Sequence, residues 1–229
     1  MKKNILLIGG SSDIGKNVIK LIDKKKYKIY SIFNSNKKKL NNVNSFQVDL
    51  SNLKEIDKLI QHLRKKKIKF DNVIFLQGVI HSLSLLKYTD KQIYDTISIN
   101  TLSVILITKK ILNLLKANSL VILVSSISAS RGSYDPVYSA SKAALHGFTK
   151  SLSKWLAPKK QFICLCPGPI KDTRMFENFP KKRQDFHIKK NPLKKLINAK
   201  DFARILIDIT KSHWKFANGS IIEINGGIH

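Results

Sequence analysis

The chain is 229 residues long, 43% hydrophobic, and carries a formal net charge of +27. That length supports one α/β domain with a large core, and no unbroken apolar run reaches the roughly 18 residues that mark a membrane span. A charge this positive invites a nucleic-acid or anionic-surface partner, yet lysine dominates, arginine stands only at 64, 131, 174, 183 and 204, and lysine runs recur throughout the chain. Composition therefore accounts for the charge better than a nucleic-acid partner does. The N-terminus is too short for a signal peptide before it meets a glycine turn, so a cytoplasmic protein is expected.

Residues 4–8 read as an apolar strand running into Gly9-Gly10-Ser11-Ser12-Asp13-Ile14-Gly15, then a helical pattern with Val18, Ile19, Leu21 and Ile22. Strand, glycine turn and helix is the context a dinucleotide-binding turn needs. Gly9 permits the tight turn, Gly15 lets the helix pack closely, and the helix N-terminus offers N–H groups and a positive dipole to a pyrophosphate. Asp13 stands either beside the phosphates or as the helix cap. Residues 27–33 form a second strand, followed by Asn34, Ser35 and the lysines at 37–39. A site for NAD usually ends this strand with a carboxylate for the ribose hydroxyls. Here Asn34 and Ser35 can bond a 2′-phosphate and the lysines attract it, so NADP(H) is favoured over NAD(H); the plainer account is a solvated basic loop.

Residues 45–50 form a third strand ending in Asp49-Leu50, with Ser51 or Asn52 capping a helix to about residue 65. A fourth strand covers 70–76 and ends in Gln77-Gly78; the loop at 81–88 forms one wall of a cleft. One long helix is expected over about 90–116, with Asn100 inside it, where a buried asparagine bends a helix and can hold a water. Residues 120–124 are a buried strand closed by Ser125-Ser126. A loop with Gly132 and Pro136 leads to a helix bearing Tyr138 and Lys142, four apart and so on one face. An ammonium beside a phenol lowers its pKa, and a serine hydroxyl nearby can hold a substrate oxygen: together, a proton-transfer device for an alcohol or carbonyl.

Residues 161–166 form a sixth strand carrying the 2 cysteines, Cys164 and Cys166. Both point one way and are expected as buried thiols; no further metal ligand is evident in the sequence, so no metal is expected. Pro167-Gly168-Pro169-Ile170 follows, then Thr173. Residues 174–198 are basic with little periodicity, 199–211 have helical spacing, and 220–224 form a last strand before Gly226-Gly227.

The serine followed by Tyr138-x-x-x-Lys142 resembles the signature of the short-chain dehydrogenase/reductase family. The glycine turn resembles that family's T-G-x-x-x-G-x-G, with Ile8 and Asp13 as departures. At the fourth strand only Gly78 remains of the usual N-N-A-G. The resemblance covers the whole chain and is strongest to β-ketoacyl carrier-protein reductase-like members. It implies a single doubly wound, Rossmann-type α/β domain over residues 1–229 with a parallel sheet. It also implies a substrate lid at about 174–198.

Its implied catalytic residues are Ser126, orienting the carbonyl, with Ser125 as runner-up; Tyr138, the general acid/base; Lys142, also holding the nicotinamide ribose; and Asn100, relaying protons through water. Tyr134 lacks a lysine at helical spacing. Beside Gly9, Ser11, Ser12, Asp13, Ile14 and Gly15, the implied cofactor contacts are Asn34, Ser35, Asp49 and Leu50 by the adenine, Gly78, Pro167 and Gly168 facing the nicotinamide, Ile170, and Thr173, which sits one residue late.

The expected reaction interconverts a small-molecule carbonyl and an alcohol with NADP(H). An anionic or carrier-bound substrate would suit the lid lysines. A homodimer or homotetramer is expected through the helices around Asn100 and after Tyr138, with Leu145, Phe148, Leu152 and Trp155 as apolar positions. The alternatives are a nucleotide-binding member with a regulatory or scaffold role, and a basic nucleic-acid binder.

Overall fold

A computed structural model of the chain describes residues 2–34 and 43–228. Ser35 and the lysines at 37–39 lie outside the described residues. A seven-stranded, wholly parallel sheet runs through the molecule in the order β3-β2-β1-β4-β5-β6-β7. The strands are β1 (Lys3–Ile8), β2 (Tyr27–Phe33), β3 (Asn44–Gln47), β4 (Phe70–Phe75), β5 (Leu115–Val124), β6 (Lys160–Pro167) and β7 (Ile221–Ile224). The order reverses between β1 and β4, which opens a crevice at their C-terminal ends.

Strand residues alternate between two cores. Leu6 and Ile8 of β1 face one core and Ile5 and Leu7 the other, as the two-residue period of a strand requires. Because both faces are covered, these strands are continuous apolar runs. One face packs against α2 (Leu53–Lys65), α4 (Ser103–Ile111) and α6 (Pro136–Trp155), through residues such as Leu59, Ile107 and Leu145. The other packs against α1 (Asp13–Leu21) and α9 (Ala199–Ile209), through Val18, Ile19, Phe202 and Leu206. Between these come α3 (Asp90–Ile97), α5 (Ser128–Arg131), α7 (Arg174–Glu177) and α8 (Lys181–Lys190).

The helix expected over 90–116 is three pieces. After α3, a wider turn at Ser98–Leu102 closes with the Ser103 N–H donating to the Ser98 carbonyl, and α4 then runs only to Ile111. Leu115 and Lys116 belong to β5, whose pairing with β4 shifts register between Phe70 and Asn72. Apolar residues and lysines serve either element, so composition could not place this boundary. Taken together, Asp90–Leu114 is long and apolar enough by length and composition to cross a membrane, but half of its apolar window is buried inside the fold, as in a core helix.

The third strand stops at Gln47, earlier than expected, and leaves Asp49-Leu50 in a turn. There the Asp49 carboxylate accepts from the Ser51 N–H and hydroxyl, a local bond that competes with the sheet ladder. Asn52 is the cap of α2, accepting from Lys54 N. Within 174–198, which the sequence shows as aperiodic, the chain forms α7 and α8.

Candidate active site

Gly9 holds φ +86°, a left-handed conformation suited to glycine, and a side chain there would press on the backbone of Leu76 and Gln77. At Gly15 a Cβ would come within 2.6 Å of the Gly9 carbonyl, so the close seat of α1 on the turn depends on glycine. Ser12, not Asp13, caps α1: its hydroxyl accepts from Gly15 N at 3.0 Å and donates to the Gly9 carbonyl at 2.7 Å. Asp13 is the first helical residue, and its carboxylate accepts from Arg174 N at 2.9 Å, tying the glycine turn to the start of α7. Among the described residues, the N–H groups of Ser11, Asp13 and Ile14 have no protein partner. Open amides at the N-terminus of a helix, set at the sheet's switch point, fit the pyrophosphate of a dinucleotide.

Across the crevice, α6 begins at Asp135-Pro136. Asp135 is fully buried and caps the helix, accepting from Tyr138 N at 2.9 Å. Its carboxylate also accepts from Ser82 N at 2.8 Å and from the Tyr88 hydroxyl at 2.7 and 2.8 Å. Burial, and then that bond to Asp135, push the Tyr88 phenol well above its usual range. The sequence reading missed both residues. The readable signal was Asp directly before Pro at a helix start, a cap followed by the favoured first residue.

Tyr138 and Lys142 are buried one turn apart on α6, with Ser126 at the end of β5 beside them. Ser125 is committed elsewhere, its hydroxyl donating to the Lys142 backbone carbonyl at 2.8 Å. Ser126 accepts from Ser128 N at 3.1 Å. Burial pushes Tyr138 up to about 12, with the neighbouring Ser126 hydroxyl pulling it back and Asp135 and Cys166 adding to the rise. The sequence expectation was a phenol lowered by Lys142; in the structure burial raises it, and Lys142 is not among the groups that shift it. Burial also holds Lys142 down at about 8, while Cys164 and Cys166 act in the opposite sense.

The Lys142 ammonium donates to the carbonyls of Gln77 at 3.2 Å and Val124 at 3.0 Å. A Cβ at position 78 would sit 3.1 Å from that ammonium, which is a physical reason for Gly78. Asn100, fully buried in the wide turn, donates to the Val79 carbonyl at 2.9 Å and to the Ser141 hydroxyl at 2.9 Å, and accepts from Val79 N at 2.8 Å. Its amide thus braces the Gly78 loop against α6 beside Lys142. Tyr134 is exposed.

Gly168 donates to the Ile224 carbonyl, which sets the loop after β6 against β7. Ile170 is buried, and the Thr173 hydroxyl donates to the Ile170 carbonyl at 2.7 Å while capping α7. Asn34 is exposed at the end of β2. The cysteine pair does have a neighbouring ligand that the sequence did not reveal: His146 Nε2 lies 3.1 Å from Cys166 Sγ.

A doubly wound parallel sheet with an open helix N-terminus at its switch point defines an α/β dinucleotide-binding protein. The family model for short chain dehydrogenases matches residues 3–184. Over 198 residues the chain is 29% identical to a 3-oxoacyl-(acyl-carrier-protein) reductase FabG of Buchnera aphidicola, covering 85% of this chain and 80% of that relative. It is 25% identical to the uncharacterized oxidoreductase YmfI of Bacillus subtilis, covering all of both chains. The fold is also that of a short chain dehydrogenase family protein from Francisella tularensis, with TM-score 0.91, 24% identity, and 100% and 99% of the two chains covered. The chain belongs to the short-chain dehydrogenase/reductase family. It is an oxidoreductase that uses a nicotinamide cofactor.

Proposed function

We propose that this protein interconverts a carbonyl and an alcohol with NADP(H), using Ser126, Tyr138, Lys142 and Asn100. The observation that carries the reading is the buried pair Tyr138 and Lys142 one turn apart on α6, packed at the end of β5 where Ser126 is also buried and the Lys142 ammonium donates to the Val124 carbonyl at 3.0 Å. Bound in the crevice, the nicotinamide supplies or accepts the hydride. Ser126 donates to the substrate oxygen and orients it. Tyr138, held protonated by burial, gives its proton to that oxygen in reduction and regains it in the reverse direction. Lys142 places a positive charge beside the reacting oxygen, and Asn100 holds the loop and water that resupply the proton. The regulatory or scaffold alternative does not explain four such groups converging on one crevice.

The cofactor would lie across the turn at Gly9, Ser11, Ser12, Asp13, Ile14 and Gly15, with Asp49 and Leu50 at the adenine end. Gly78, Pro167, Gly168, Ile170 and Thr173 would line the nicotinamide end. NADP(H) is preferred in this reading because Asn34, not a carboxylate, directly follows β2 and the lysines at 37–39 come next. Residues 174–198 act as the substrate lid of a one-domain protein. The substrate class is a small ketone or a carrier-bound 3-oxoacyl thioester, the latter supported by the relatives named above.

The test is a hydride-transfer screen with NADPH and NADH against 3-oxoacyl thioesters and simple ketones. Cofactor oxidation that needs a ketone substrate and runs faster with NADPH is expected. No turnover with any carbonyl, despite tight cofactor binding, would favour the regulatory reading.

A further inference from the structure

Cys164 and Cys166 stand two apart on β6, so both thiols leave the same face of the strand, the face covered by α6. His146 lies on α6 one turn beyond Lys142, on the same side of the helix. Its Nε2 is 3.1 Å from Cys166 Sγ, and the ligand atoms of His146, Cys164 and Cys166 all lie within 4.8 Å of one another. Both cysteines are fully buried and unbridged, while His146 is half-buried. This cluster lies behind the proposed catalytic residues and takes no part in the reaction described above.

We propose that His146, Cys164 and Cys166 form a binding site for a single Zn2+-class cation that pins α6 to β6 beneath Tyr138 and Lys142. Two sulfurs and an imidazole are the soft and borderline donors that such cations take. Among the described residues no carboxylate joins the cluster, which disfavours calcium and magnesium. Zinc bonds of about 2.0 Å to nitrogen and 2.3 Å to sulfur set tetrahedral edges of roughly 3.6–3.8 Å, within reach of small side-chain adjustments here.

The charge balance suits a buried site. Each thiol releases its proton to solvent on binding, and two thiolates with a neutral imidazole neutralise a divalent cation. Burial then carries no uncompensated charge. With three protein donors, a solvent oxygen would complete the four-coordinate site from the half-buried His146 side.

The experiment uses the full chain, reduced and stripped with a chelator, with Co2+ as the spectroscopic probe. A sulfur-to-cobalt charge-transfer band that saturates at one equivalent and is displaced by Zn2+ is expected. His146→Gln, at a half-buried position, should weaken Co2+ binding at least about 100-fold, since even outer-shell changes cost 10- to 100-fold. Cys166→Ser should abolish the band. Absence of the band in the parent protein, or a band unchanged in folded His146→Gln, overturns the site and leaves the three groups as hydrogen-bonded packing.

Discussion

Tyr138 meets four influences: burial, the Ser126 hydroxyl, the buried charge of Asp135 and Cys166. Burial dominates, so the phenol keeps its proton to about pH 12. Its folded-state pKa is raised, so the stability gained by burying the neutral phenol is complete below its ordinary pKa of about 10. That stability is lost as pH climbs through about 12. An absorbance titration of the parent protein against Tyr138→Phe should show one late-ionising phenol in the difference; a difference centred near 10 would contradict this. At the neighbouring serines, Ser126→Ala should lower turnover about 100-fold or more, as the loss of a positioned hydrogen bond to a developing oxyanion does. Ser125→Ala should act mainly on stability, because its hydroxyl is spent on the Lys142 backbone. The reverse ranking in kcat/KM would transfer the role to Ser125. The tyrosine, lysine and serine were legible in the sequence because their spacing encodes a strand end and one helix face. Asp135 was readable as a helix cap but not as the partner of Tyr88, and His146 was not readable beside Cys166, since those partners come from distant segments that only the fold brings near.

The element that organises the site is α6, whose start is fixed by a carboxylate that pairs with no cation among the described residues. Asp135 serves the helix cap, the loop at Ser82 and the Tyr88 hydroxyl at once. Asp135→Ala should destabilise the fold by roughly 2–4 kcal/mol, a lost cap plus stranded buried donors. It should also lower kcat by shifting Tyr138. Chemical unfolding followed alongside activity tests this; full stability in Asp135→Ala would show that the cap is dispensable. At the end of β2, Asn34→Asp should shift preference from NADPH toward NADH, by repelling a 2′-phosphate and offering an acceptor to the ribose hydroxyls. Fluorescence titration with both cofactors decides it, and an unchanged ratio places the discriminating contact elsewhere. Strands β1, β2 and β4 were legible as apolar runs bounded by charge or glycine. The break between α4 and β5 was not, because a wide turn and a register shift have no compositional marker.

For the whole molecule, two properties follow from surface composition. Leu145 and Leu152, expected at a subunit interface, lie in the core, while Trp155 is 68% exposed and Tyr94 and Leu102 are also exposed. The proposed homodimer or homotetramer therefore rests on those exposed residues of the helices around Asn100 and Tyr138. Sedimentation at micromolar concentration should give a multiple of the chain mass, and a single-chain mass would refute it. The lysines of α8 place a positive surface on the proposed lid, so an anionic substrate would be recruited faster at low salt. Changing Lys181, Lys182, Lys189 and Lys190 to Gln should flatten the salt dependence of kcat/KM. Equal dependence in both proteins would leave the charge to composition.

The central claim is that Tyr138 moves the proton that accompanies hydride transfer, and a comparison of the parent protein with Tyr138→Phe tests it most directly. NADPH oxidation with a 3-oxoacyl thioester and NADPH affinity are measured on the same preparations. The account predicts turnover reduced by about 100- to 10,000-fold, the usual range for a positioned acid, with cofactor affinity nearly unchanged. Turnover within a few-fold of the parent would contradict it.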